Sequence, residues 1–126
     1  MFRIQTAEFE KMVTDSLKSI PSPYQDNLKN IAFFVEDYPS IEQVNKLKLR
    51  PCDRLFGLYE GVPLPDRRGG YTLTLPDRIT VFKVAHEENA VDIKDMRQQV
   101  YNTVWHEVAH YYGLNHEQIA KLQSAG

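Results

Sequence analysis

The chain has 126 residues, of which 42% are hydrophobic and 25% are charged. These values are ordinary for a globular protein with one hydrophobic core, so we expect a single domain over residues 1–126. A formal net charge of -2 gives no electrostatic basis for binding nucleic acid or an anionic membrane surface.

The N-terminal half of the chain predicts two helices separated by a strand. Apolar residues recur at helical spacing over residues 6–20, which indicates an amphipathic helix. The run IAFFV at 31–35 is short, aromatic and β-branched, so it predicts a buried strand. Ser40 and Gln43 have the spacing of a capping box, which opens a short helix that runs to about Leu47.

The C-terminal half predicts short strands followed by helices. Turn residues bound three apolar runs, which we interpret as strands at 55–59, 71–75 and 78–84. A long helix then runs to about Tyr112, and a short helix capped at Asn115 ends the chain. These elements predict an α+β fold in which a small, mostly antiparallel sheet packs on helices.

The segment WHEVAHYYGLNH, residues 105–116, contains the pattern H-E-x-x-H on the predicted long helix. Residues four apart lie on the same helix face, so His106 and His110 can direct two imidazole nitrogens at one metal ion. Glu107 lies about 100° round the helix from His106, where it need not bind the metal. From that position it can accept a proton from a water molecule in an open metal position.

Two further residues of this segment, Gly113 and His116, can bring a third ligand to the metal. Gly113 comes three residues after His110, and glycine readily adopts the left-handed conformation that ends a helix. The chain then turns back, so that His116 can reach the metal. Three imidazoles with one open position are typical of a catalytic zinc site, so the sequence predicts Zn²⁺ bound by His106, His110 and His116.

The other candidate reactive residues are expected outside this site. His86 lies in an acidic stretch with Glu87 and Glu88, which predicts a surface histidine. Cys52 is the only cysteine, so an internal disulfide and a cysteine-based zinc site are both excluded. We expect Cys52 to be a small, partly buried residue rather than a nucleophile.

The chain carries no sequence feature of secretion or membrane insertion. Its first residues, MFRIQTAEFEK, lack the apolar region of a signal peptide. The longest strongly apolar run, at 31–35, is far too short to span a bilayer. We therefore expect a cytoplasmic protein that binds neither a membrane nor nucleic acid.

With these residues in view, the segment HEVAHYYGLNH resembles the H-E-x-x-H-x-x-G-x-x-H/D motif of the zincin-like minimal metallopeptidases, which are small bacterial proteins. The stretches LFGLYEGVPLPDR at 55–67 and LPDRITVF at 75–82 also resemble that family, in the same order. The resemblance covers at least residues 55–119. It implies a reduced zincin fold, in which a helix carries the metal site beneath a small sheet whose edge strand borders the cleft.

The resemblance also implies roles for the residues of the motif. His106, His110 and His116 take the ligand positions, and Glu107 takes the position of the general base. Aspartate is common at the third ligand position of the family, whereas this chain has His116 there. The change leaves the metal site one unit more positive.

Two functions from different classes remain open at this level. The first is a zinc-dependent metallopeptidase that acts on a peptide or protein substrate; the second is a non-catalytic protein of the same fold that binds zinc or a peptide segment. Glu107 favours the enzyme, because a purely structural or binding site has no use for that carboxylate. Tyr111 or Tyr112 could donate a hydrogen bond to an oxyanion, or could only pack at the end of the helix. Strand 78–84 could pair with an extended peptide substrate, or could be a central strand of the sheet. The sequence leaves the oligomeric state undetermined.

Overall fold

The computed structural model describes residues 3–26, 28–62 and 77–125, and within these ranges leaves the side chains of residues 29, 116 and 122–125 aside. The helices and strands are α1 (Thr6–Lys18), β1 (Ile31–Glu36), α2 (Ile41–Leu47), β2 (Gly57–Glu60), β3 (Asp77–Phe82), α3 (Lys83–Asn89), α4 (Ile93–Tyr111) and α5 (His116–Ala125). A 3₁₀ turn, Leu28–Asn30, leads into β1. The strand predicted at 71–75 lies outside the described residues.

The described strands form a mixed sheet with β3 in the middle, in the order β1-β3-β2. β1 runs parallel to β3, with Phe33 opposite Ile79. β2 runs antiparallel to β3, with Tyr59 opposite the same Ile79. The predicted α+β class is confirmed, and the described part of the sheet is mixed, with one parallel and one antiparallel pair of strands. Residues 37–76 give the chain enough length for the crossover that a parallel pair requires.

The hydrophobic core lies between the sheet and the helices α1 and α4. One stripe of α4 residues, spaced four apart, is completely buried: Met96, Val100, Val104 and Val108. This stripe belongs to one cluster with Phe9 of α1 and with Ile79 and Val81 of β3. Because the spacing of four keeps these residues on one face of α4, another face is left for polar residues.

Side chains cap the first turns of α2, α4 and α5. Ser40 and Gln43 form the reciprocal bonds of a capping box at the start of α2. Asn115 and Gln118 make the equivalent pair of bonds at the start of α5. Asp92 caps α4 by accepting a hydrogen bond from a backbone N–H of its first turn. The caps of α2 and α5 confirm where these two predicted helices begin.

The chain turns from strand to helix earlier than predicted. The predicted strand 78–84 ends at Phe82, and α3 begins at the next residue, Lys83. Lys83 and Glu87 lie one helical turn apart and form an ion pair of 3.0 Å whose side chains are mostly buried. This local pairing, with Ala85 between them, favours a helix over the continued alternation of a strand. Among the described helices, none combines the length and the apolar character needed to cross a membrane.

Candidate metal centre

The helix α4 brings three residues of the motif together. The ligand atoms of His106, Glu107 and His110 all lie within 4.8 Å of one another. The rings of His106 and His110 have centroids 4.6 Å apart, as expected for residues one helical turn apart. Both imidazoles are half-buried, whereas Glu107 is only 7% exposed. The predicted convergence of these residues is therefore present in the fold.

The Glu107 carboxylate is held between the helix and the sheet. Its Oε1 accepts a hydrogen bond of 2.9 Å from the backbone N–H of Tyr59 in β2. The same oxygen lies 3.6 Å from Nδ1 of His110. Burial raises the pKa of Glu107 to about 7, and the bond from Tyr59 opposes that rise only in part. A carboxyl group with a pKa near neutrality is suited to exchange protons with a substrate.

The strand β2 presents its outer side to this carboxylate. The backbone N–H of Phe82 donates to the carbonyl of Phe56 at 2.9 Å, which fixes the phase of the antiparallel ladder. Because bonded residues alternate along such a ladder, the N–H of Tyr59 points away from β3. It is this outward N–H that reaches Glu107. Within the described sheet, β2 is an edge strand that borders the candidate site.

A cleft of about 370 Å³ opens beside Glu107. One wall is the segment 54–57, which leads into β2, and the other wall is α4, which contributes Asn102, Thr103 and His106. Arg54 lies on the cleft wall, with its guanidinium 3.8 Å from the carboxylate of Glu88. The cleft therefore leads to the cluster of His106, Glu107 and His110, between the segment 54–57 and one face of α4.

The end of α4 has the turn that the sequence predicts. Gly113 has a φ of 75°, in the left-handed region. Its N–H donates to the carbonyl of His110, and the N–H of Leu114 donates to that of Ala109, which together make a Schellman motif. The backbone of His116 then begins α5, while its side chain lies outside the described part of the structure. Its role as the third ligand stays a prediction.

The surface position predicted for His86 is wrong. His86 is fully buried, and its ring nitrogens lie 2.8 Å from the carbonyl of Phe82 and 2.9 Å from the hydroxyl of Thr103. Burial lowers its pKa, against the opposing effect of the bond to Phe82. Glu87 is also buried, at 2% exposed. The acidic stretch misled the prediction, because α3 turns these residues inward.

The structure also gives the positions of Tyr111, Tyr112 and Cys52. The sequence left the roles of the two tyrosines open and predicted a partly buried Cys52. Tyr112 donates its hydroxyl proton to the carbonyl of Tyr24 at 2.8 Å, and Tyr111 is 2% exposed. These positions favour packing over a role at an oxyanion. Cys52 is exposed rather than partly buried.

Sequence reasoning missed the hydrogen bond that β2 makes to Glu107. The contact from Tyr59 to Glu107 uses a backbone group, which no side-chain motif reveals. The sequence does hold one signal, Gly57 inside a predicted strand, because a glycine there often marks a close approach of another chain segment.

The fold and the site together define an α+β protein with an H-E-x-x-H cluster that could hold a metal ion on a partly buried helix. The family model for zincin-like metallopeptidases matches residues 28–125, and the chain therefore belongs to this family. A comparison with curated proteins gives no match. The imidazoles of His106 and His110 fit a zinc ion, because their nitrogens converge and zinc accepts nitrogen and oxygen donors.

Proposed function

We propose that this protein is a zinc-dependent metallopeptidase that hydrolyses peptide bonds. In this proposal His106, His110 and His116 hold Zn²⁺, and Glu107 is the general base. The observation that carries the proposal is the placement of a buried carboxylate beside two convergent imidazoles on the wall of an open cleft. Neither a structural metal site nor a simple binding site requires a carboxylate buried at that point.

The chain's own residues account for the proton transfers. Bound zinc would supply a lowered pKa for water and polarisation of the peptide carbonyl. Glu107 takes the proton from the attacking water and later gives a proton to the leaving amine. In the metal-free site, burial raises the pKa of Glu107 to about 7, so the site itself favours proton uptake by this carboxylate. The N–H of Tyr59 holds one oxygen of the carboxylate, which limits its rotation.

The substrate is proposed to be a peptide or protein segment in extended form. An extended chain adds to a sheet edge through backbone bonds, largely independent of its side chains. Of the two alternatives left open for strand 78–84, the structure has the central strand, because β3 is paired with β1 on one side and with β2 on the other. We propose instead that the substrate pairs with the outer side of β2, which borders the cleft.

The substitution Glu107→Gln tests the proposal, since it keeps the shape of the side chain and removes the base. The zinc-loaded parent should cleave a peptide library, and the variant should bind zinc as well as the parent. Its rate should fall by about two to four orders of magnitude, the usual contribution of general acid–base catalysis. Glu10→Gln, on the exposed side of α1, is the matched control and should retain full activity.

The alternative function makes a different forecast. A binding protein of this fold would retain affinity for zinc or peptides and would show no cleavage in either form. Equal cleavage by the parent and by Glu107→Gln would contradict the role of Glu107 as the base. The metal content of His110→Ala, measured by elemental analysis, checks that the histidines hold the zinc.

A further inference from the structure

Gly57 lets β2 lie directly against α4. A Cβ atom added at Gly57 would lie 2.6 Å from Cγ2 of Thr103 and 3.2 Å from Cγ of Glu107. Carbon atoms in favourable contact lie about 3.5–4.0 Å apart, so any side chain at this position would push the strand away from the helix. The glycine therefore sets the distance between β2 and α4 at the point where Glu107 emerges.

His86 in turn fixes the side chain of Thr103, against which Gly57 packs. The carbonyl of Phe82 only accepts hydrogen bonds, so Nδ1 of His86, 2.8 Å away, carries the proton. Nε2 of the neutral ring is then an acceptor, and the hydroxyl of Thr103 donates to it at 2.9 Å. This bond selects one rotamer of Thr103 and so places its methyl group beneath Gly57. The His86 ring is enclosed by the rings of Phe9 and Phe56, with centroids 5.5 and 5.2 Å away.

We propose that Gly57, Thr103 and His86 form a positioning unit that sets the place of the Glu107 carboxylate. Tyr59 lies two residues beyond Gly57 on the same outward side of β2, and its N–H lies 2.9 Å from Oε1 of Glu107. A shift of the strand from the helix lengthens this bond and frees the carboxylate to rotate. These are positioning residues, which act through Tyr59 and Glu107. Their effect on catalysis rests on the proposed function, whereas their effect on the carboxylate does not.

Amide hydrogen exchange in the metal-free protein tests the proposal without any assay of activity. The N–H of Tyr59 reports the contact with Glu107, and the N–H of Phe82, bonded to Phe56 in the ladder, reports the stability of the sheet. In Gly57→Ala, exchange at Tyr59 should rise by at least about tenfold relative to exchange at Phe82. An unchanged ratio would overturn the proposal.

A second substitution tests whether the effect is steric. Thr103→Ser removes Cγ2, the atom nearest to the added Cβ, and retains the hydroxyl that binds His86. The double variant Gly57→Ala with Thr103→Ser should therefore regain most of the protection at Tyr59. If the Tyr59 amide exchanges as fast in the double variant as in Gly57→Ala alone, the contact between Gly57 and Thr103 does not hold β2 in place.

A third substitution tests the role of His86 and leaves the residues of β2 unchanged. Thr103→Val keeps the shape of the side chain but removes the donor to Nε2 of His86. Exchange at Tyr59 should again rise relative to Phe82, and an unchanged ratio would remove His86 from the unit. This variant also decides the matter if Gly57→Ala does not fold.

Kinetics of the zinc-loaded forms separate the two proposals. Gly57→Ala should lower kcat by at least about tenfold with little change in KM, and the double variant should recover part of the loss. If the parent cleaves no peptide, the proposed function fails while the exchange ratios still decide the positioning unit. If kcat is unchanged although the Tyr59 contact is lost, the contact has no catalytic role.

Discussion

The substitution Glu107→Gln should stabilise the metal-free protein at alkaline pH. The sequence alone predicts little effect on stability, because a carboxylate aimed at a metal site is not part of the packing. The structure changes this expectation, since Glu107 is only 7% exposed and is desolvated when no metal is bound. An ionised carboxylate in such a place opposes folding, and a neutral amide of the same shape does not.

The magnitude follows from the pKa of Glu107, which burial raises from 4.5 to about 7. At 1.36 kcal/mol for each pKa unit, the difference corresponds to about 3 kcal/mol. The folded state binds the proton more tightly than the unfolded state. The stability associated with this group is therefore fully present below pH 4.5 and is lost as the pH rises through about 7. Above pH 8, Glu107→Gln should exceed the parent by up to about 3 kcal/mol.

Denaturant unfolding of both proteins in the presence of a chelator, from pH 4.5 to 8.5, measures this difference. The two free energies of unfolding should be close at the acidic end, diverge between about pH 4.5 and 7, and keep a constant difference above neutrality. Glu10→Gln, which removes an exposed carboxylate of α1, should follow the parent throughout. Parallel curves for the parent and Glu107→Gln would refute the argument that burial of this carboxylate opposes folding.

Three further predictions address the metal, the turn and the buried histidine. Titration should show one zinc ion per chain, with affinity that falls on acidification because the imidazole ligands must be neutral, and His110→Ala should abolish tight binding. Gly113→Val should lower both the free energy of unfolding and the zinc affinity, because a β-branched residue resists the φ of 75°; normal zinc affinity would contradict delivery of His116 by this turn. The lowered pKa of His86 means that its contribution to stability is present above pH 6.5 and is lost as the pH falls through the folded-state pKa. His86→Gln should therefore show a shallower acid dependence of unfolding than the parent.

The convergence of His106, Glu107 and His110 could be predicted from the sequence because these residues lie on one helix. The spacing of His106 and His110 and the period of an α-helix together determine that the two imidazoles meet. The left-handed turn at Gly113 is equally local, since the backbone preference of glycine decides it. Local rules of this kind need no knowledge of how distant segments pack.

Three features that the sequence did not predict depend on contacts between distant segments. The parallel pairing of β1 and β3 depends on how the chain crosses over, which no local pattern encodes. His86 is buried because α3 turns it toward Thr103, 17 residues further on. The bond from Tyr59 to Glu107 spans 48 residues and uses a backbone group. In each case tertiary packing overrides the local composition.

The site also accounts for how a short chain can hold a desolvated carboxylate. α4 carries Glu107 beside a stripe of four fully buried apolar residues, Met96, Val100, Val104 and Val108. Burial of each such side chain contributes about 1.5–3 kcal/mol, so the stripe more than offsets the cost of the ionised carboxylate. The same helix thus anchors the core and presents the base, and a weakening of the stripe should reduce stability before it alters the geometry of the site. Val100→Ala tests this step: the free energy of unfolding should fall by about 1–3 kcal/mol. Protection of the Tyr59 amide relative to Phe82 should stay unchanged, and a selective loss at Tyr59 would show that the core and the site are not separable.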